Sequence, residues 1–177
     1  LVETSTFYLA TPIYVAVMAG PFLGERIPFR RWIAIGIGFV GVVIALNPGG
    51  ALFGWPMLIA FLGSLAFGFM MIVTRQLRGT PDTTLVVWQT AAALGLGAVL
   101  APFSWTPPTL RDYALLGLLG IIAMLAHVAT NRSLKLAPAS TVVPYQYTLI
   151  VWAMVLGWFV FGDVPALTTV IGAVIIV

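Results

Sequence analysis

Seven long apolar runs occupy most of the chain, and the short gaps between them collect charged residues, prolines and paired glycines. The first run extends roughly over 4–23, and a polar stretch at 24–31 follows it. The second covers 32–46 and stops at Asn47-Pro48-Gly49-Gly50, a cluster of helix breakers. The third covers 56–74, with Pro56 in its first turn, where a missing N–H is tolerated. The fourth, 84–103, ends at Ser104-Trp105-Thr106-Pro107-Pro108. The fifth and sixth cover 112–131 and 140–161, and a seventh begins near Ala166. Barrel strands would alternate polar and apolar residues over about 10 positions, and these runs do not. They are apolar all round, and most approach the ~20 residues that a helix needs to cross a bilayer. In hydrocarbon a backbone must satisfy its own hydrogen bonds, which these runs do only as helices. The pattern predicts an all-α, polytopic transmembrane helical bundle of about seven helices.

Composition supports this reading. The 177 residues are 61% hydrophobic and 7% charged, against roughly 25% charged in a soluble domain. Such a chain cannot cover a water-facing surface. It has no cysteine, so thiol and disulfide chemistry are excluded. The net charge of +3 does not point to nucleic acid, because the basic residues form no single patch. No basic segment precedes the first apolar run, so that run is not read as a signal peptide. The chain opens beside one apolar run and ends inside another, and it reads as a piece of a longer protein.

Charge adds direction. Of the eight basic residues, seven fall in alternate gaps: Arg26, Arg30 and Arg31, then Arg75 and Arg78, then Arg132 and Lys135. Only Arg111 falls in an even gap. Loops rich in Lys and Arg stay in the cytoplasm, so the odd gaps are expected there.

An internal repeat is also visible. The first run ends at Gly24-Glu25 and the sixth at Gly162-Asp163. Pro28 or Pro165 follows, and then a small-residue run containing Ile35-Gly36 or Ile171-Gly172. The copies lie five runs apart, so they cross the membrane in opposite directions. Inverted repeats of this kind mark transporters, with cargo sites near the midplane at the repeat interface.

Several residues carry candidate chemistry. His127 is the one ionisable side chain well inside a run, and such residues are functional candidates by default. Gln89, Asn131, Gln146 and Tyr147 are the other conspicuous polar groups, and burying them unpartnered is costly. At 1.5 Å rise per residue, Gln89, His127 and Gln146 lie roughly 6–8 Å to the cytoplasmic side of their helix midpoints, which suggests one polar layer. The bland alternative for each is a hydrogen bond between helices. Tyr14, Tyr145, Tyr147 and Trp152 have amphipathic rings suited to lining a cavity for organic cargo. Trp32, Trp55, Trp105 and Trp158 lie near run ends and read as interfacial anchors. Pro12, Pro21 and Pro144 interrupt the first and sixth runs. Gly36-x-Gly38-x-x-Gly41 matches a dinucleotide fingerprint in letters only. It lies inside a membrane run, where small residues let helices approach closely. Enzyme chemistry lacks its parts. Glu3, Glu25, Asp82, Asp112 and Asp163 all sit at run ends or in gaps, and one His without Cys builds no metal site.

The chain resembles the EamA family of the drug/metabolite transporter superfamily. Thr11-Pro12-Ile13-Tyr14, Leu23-Gly24-Glu25-Arg26 and Arg31-Trp32 look like the end of the first EamA repeat. Leu136-Ala137-Pro138-Ala139-Ser140, Tyr145 and Phe161-Gly162-Asp163-Val164-Pro165 look like the same region of the second, with Asp163 where Glu is commoner. The resemblance implies ten helices in two inverted five-helix repeats around a central cavity. Residues 1–50 would close the first repeat, and 51–177 would hold the second with its last helix truncated. It implies small-molecule cargo such as an amino acid, metabolite or drug, moved by alternating access in the bacterial plasma (inner) membrane. No cofactor, enzyme activity or nucleic-acid partner is implied. Tyr14, Gln89, His127, Gln146, Tyr147 and Trp152 are the expected cargo contacts. The alternative is a non-transporting seven-helix receptor or assembly protein. A retinal-binding version would need a Lys in a late helix, and the only Lys is Lys135, in a gap.

The charge pattern makes a direct prediction. Single cysteines at 27, 79 and 136 should resist an impermeant thiol reagent in intact cells and react after permeabilisation. Labelling from outside would reverse the orientation.

Overall fold

The computed structural model describes residues 7–46, 55–103 and 106–176. The breaker cluster at 47–50, the turn residues 104 and 105, and the start of the first run at 4–6 lie outside these residues. So does the expected repeat boundary at 50/51. Among the described residues every regular element is helical. The helices are α1 Thr11–Leu23, α2 Phe29–Leu46, α3 Trp55–Gln76, α4 Asp82–Leu100 and α5 Leu110–Leu136. The sixth run is broken into a short α6, Ala139–Val142, a 3-10 turn at Val143–Tyr147, α7, Thr148–Leu156, and a π turn at Gly157–Phe161. The last helix is α8, Leu167–Ile176. Five helical stretches among the described residues are long and apolar enough to cross a membrane: Phe29–Leu46, Leu58–Gln76, Asp82–Phe103, Leu110–Leu136 and Ala139–Phe161. The protein is an integral membrane protein.

Helix ends differ from the run ends read in the sequence. Arg30, Arg31, Asp82, Arg132 and Lys135 were assigned to gaps, yet all lie inside helices. Hydropathy marks where hydrocarbon ends, whereas Arg and Lys are good helix formers and carry the helix on into the headgroups. At 1.5 Å per residue, the 27 residues of α5 span about 40 Å against a hydrocarbon core of about 30 Å. Its last turn therefore belongs to the interface. At its other end Thr109 and Asp112 form a reciprocal capping box, with Asp112 N–H donating to the Thr109 hydroxyl at 3.3 Å and Thr109 N–H to the Asp112 carboxylate at 2.8 Å.

Two compact units are present. The first contains Leu1–Gln76 and Pro138–Val177, and the second Leu77–Ala137. In the first, α2 and α8 lie backbone to backbone. A Cβ on Gly172 would meet Ala45 Cβ at 2.5 Å and Ala45 N at 2.6 Å, and one on Gly41 would meet the Gly172 carbonyl at 2.9 Å. Thr169 donates its hydroxyl to the Ala45 carbonyl at 3.3 Å. Gly38 faces the Tyr147 ring. Two glycines of the Gly36-x-Gly38-x-x-Gly41 run thus serve helix packing, as small residues do in membranes. A core of Leu9, Val42, Ala45, Tyr147 and Ile150 fills the space beside this contact. The pair α1 and α3 packs through edge-on rings, Tyr14 on Phe61 at 5.9 Å and Phe22 on Phe69 at 5.9 Å.

The two repeat ends have the same local structure. Gly24 (φ 66°) and Gly162 (φ 71°) both occupy the left-handed region that ends a helix. Gly24 N–H donates to the Gly20 carbonyl at 3.0 Å and Glu25 N–H to the Ala19 carbonyl at 3.1 Å. The second copy matches: Gly162 N–H to Trp158 at 3.0 Å and Asp163 N–H to Gly157 at 3.3 Å. Both helices also restart at similar distances before the cap, α1 13 residues long, and α7 nine followed by a π turn of five.

The glycine contact can be tested by sign. Gly172→Ala should force α2 and α8 apart and cost about 1–3 kcal/mol. Gly36→Ala meets nothing within 4 Å and should be neutral or stabilising by up to about 1 kcal/mol. Thermal unfolding of the full-length protein in detergent would compare them, and equal midpoints would refute the close contact.

Candidate functional site

In the first unit the 3-10 turn at Val143–Tyr147 presents two of the sequence-predicted residues. A 3-10 stretch within a longer helix often marks a functional position. Tyr147 is almost fully buried, and its hydroxyl donates to the Ile35 carbonyl at 3.2 Å. That bond ties the turn to α2. Gln146 is half-buried, and its amide nitrogen donates to the thioether of Met71 at 3.5 Å. Its amide oxygen is buried and has no hydrogen-bond partner among the described residues. An unpaired buried amide oxygen carries a desolvation cost of about 1–3 kcal/mol, which a donor group would relieve. Tyr14, on α1, is half-buried with its ring against Phe61. Trp152, on α7, is 62% exposed. An open apolar groove of about 480 Å³, lined by Ala34, Ile37, Gly38, Tyr145 and Tyr147, runs beside the turn and does not include Gln146.

In the second unit Gln89 is half-buried on α4, and its amide oxygen accepts from the Asn131 amide at 3.0 Å. Asn131 is buried on α5. His127 lies one turn before Asn131 and is exposed. The bond ties α4 to α5 directly, the interhelical alternative named for such polar groups.

The largest polar assembly is one that depth reasoning passes over. Glu25 follows the Gly24 cap, with its side chain 13% exposed. Its carboxylate accepts from the backbone N–H of Ala139 at 2.9 Å and of Ser140 at 3.2 Å, and from the Ser140 hydroxyl at 2.8 Å. Arg75, at the end of α3, lies 3.8 Å away, and Arg31 donates to the Ser140 hydroxyl oxygen at 2.9 Å. Ends of α1, α3 and α6 therefore meet at one carboxylate, and α2 joins them through the Ser140 hydroxyl. In the second unit Asp82 is ion-paired with Lys135 and, at 3.6 Å, with Arg132. Within each unit, residues of the odd gaps gather at one end. A signal for Glu25 was present in the Gly-Glu ending, but its partners lie 114 and 115 positions away. Among the described residues, no group of three His, Cys, Asp or Glu side chains is placed to hold a metal ion.

The family model described as the EamA-like transporter family matches residues 54–177, most of the chain. The chain belongs to the EamA-like transporter family. Among its relatives, an S-adenosylmethionine uptake transporter of Rickettsia bellii is 29% identical over 94% of this chain and 57% of its own length. A riboflavin transporter of Rhizobium johnstonii is 29% identical over 95% of this chain and 56% of its own. A pseudopaline exporter of Pseudomonas aeruginosa is 26% identical over the whole chain and 63% of its own length. This EamA-like chain thus spans little more than half the length of such relatives. No solved structure matches it.

The Gln89–Asn131 bond is measurable by a double-mutant cycle with Gln89→Leu and Asn131→Leu. A coupling of about 0.6–1.7 kcal/mol is expected for a polar pair between membrane helices. Additive effects would mean that the two amides do not meet.

Proposed function

We propose that the protein is a transporter of small organic metabolites working by alternating access in a bacterial inner membrane. The geometric observation that carries this reading is the pair of matching caps, at Gly24-Glu25 and Gly162-Asp163, in two runs of opposite direction. Such inverted repeats support a rocking exchange around a central site. Residues 1–50 are assigned to the end of the first repeat and 51–177 to the second, and the family match from residue 54 onward supports that division. The relatives carry three different cargo names and both uptake and export. At 26–29% identity none of these cargoes is preferred.

Gln146 is the residue we assign to cargo. Its unpaired oxygen would accept from a donor group, and its nitrogen gives up little when it leaves a thioether. Tyr14, Gln89, His127 and Trp152 are proposed as further contacts. Tyr147 is proposed to act mainly by holding the turn through its bond to Ile35.

Flux into proteoliposomes of the full-length protein tests this, with S-adenosylmethionine and riboflavin as first probes and an amino-acid mixture as the third. Saturable flux of at least one is expected, and Gln146→Ala should lower it about tenfold, the factor that about 1.4 kcal/mol represents. Absence of flux for every probe would favour a receptor or assembly role.

A further inference from the structure

We propose that Glu25 is a positioning residue of the transport cycle. Its carboxylate clamps the first turn of the sixth run to the end of the first, and the clamp opens when the basic face opens. This rests on the alternating-access reading.

Four observations converge on it. First, the contact joins the two copies of the repeat. Glu25 belongs to the first, and Ala139 and Ser140 to the second. Second, every bond in it is polar and converges on one carboxylate or one hydroxyl: two backbone N–H groups, the Ser140 hydroxyl, Arg75 and Arg31. Bonds to an ionised group are the strong ones, and this set is made or lost together. Apolar interdigitation, by contrast, resists separation at every contact. Third, the element being held is the first turn of the sixth run, where α geometry passes straight into the 3-10 turn that carries Gln146. Moving it moves Gln146, six residues beyond Ser140. Fourth, the matching cap at Gly162 repeats the backbone bonds, while the Asp163 side chain is exposed and has no partner among the described residues.

The test is local thiol accessibility in the full-length protein with its own cysteines replaced. This chain contributes none. Val143→Cys places a probe just behind the clamp, at a buried position of the 3-10 turn. Val42→Cys places a control in the buried core beside α8. Glu25→Gln keeps the shape of the side chain and removes its charge. Ser140→Ala removes the hydroxyl that Glu25 and Arg31 share. Each should raise the labelling rate at 143 about tenfold or more, the worth of a hydrogen bond to a charged group, and leave the rate at 42 unchanged. Glu25→Asp should fall between Glu25→Gln and wild type. An unchanged rate at 143 in the Ser140 variant, or equal increases at 143 and 42, overturns the proposal. The latter would make the contact a static brace. Labelling needs no cargo, so it stands apart from flux: wild type that moves no probe sinks the transport reading, while the labelling pattern still decides whether the clamp opens.

Discussion

A hydrocarbon solvent supplies no partner to a polar group, and this constraint organises everything else in the chain. It forces the backbone into helices, because an unpaired N–H or C=O in lipid costs several kcal/mol. It also removes the usual reason for helices to associate, since lipid tails are as apolar as Leu. Apolar residues of α5 stand exposed along most of its length, with Leu119 61% exposed and Ile122 55% exposed. Association then falls to close backbone approach and to the few polar side chains. The α2–α8 crossing uses the first, through Gly41, Gly172 and Ala45. The Asn131–Gln89 bond and the Glu25 network use the second.

The same constraint explains what could be read in the sequence. A run of about 20 apolar residues has one structural outcome in lipid, so the helices and their number were legible. The gathering of charge in the odd gaps was legible too, and within each unit such residues meet, Arg75 beside Glu25 and Arg132 beside Asp82. Helix ends were less so, because the headgroup zone tolerates both helix and loop. Phe29, Arg30 and Arg31 extend α2 into a stretch that hydropathy assigns to a gap.

Polar partnerships were the hardest to read. Depth along a helix is computable from a run's midpoint, but the direction in which a side chain points is not, when the helix is apolar on every face. The sequence reads Gln89 and Gln146 at one depth, and yet one is engaged by Asn131 while the other has, among the described residues, an unpaired oxygen beside Met71. Tyr147 looks amphipathic in the sequence and is spent on the Ile35 carbonyl. Glu25 looked like an interfacial charge, because nothing in the residues around it announces a contact with Ala139 and Ser140.

Why a carboxylate stands there follows from the energetics of the interface. A fully apolar contact between the repeats would hold at all times, since no single event dissolves it. A fully solvated ion pair would hold almost nothing, its worth being about 0–1 kcal/mol. Glu25 and Arg75 lie between these limits, 13% and 14% exposed. They are shielded enough for hydrogen bonds to hold the turn, and wet enough for water to replace those bonds in the proposed opening. The Gly24 cap helps in a specific way. It ends α1 before the carboxylate, so the clamp sits on the short link to α2. Releasing it breaks no helical hydrogen bond. The cap at Gly162 supplies the same geometry to Asp163. The two caps thus share their backbone geometry and differ, among the described residues, in their side-chain partners.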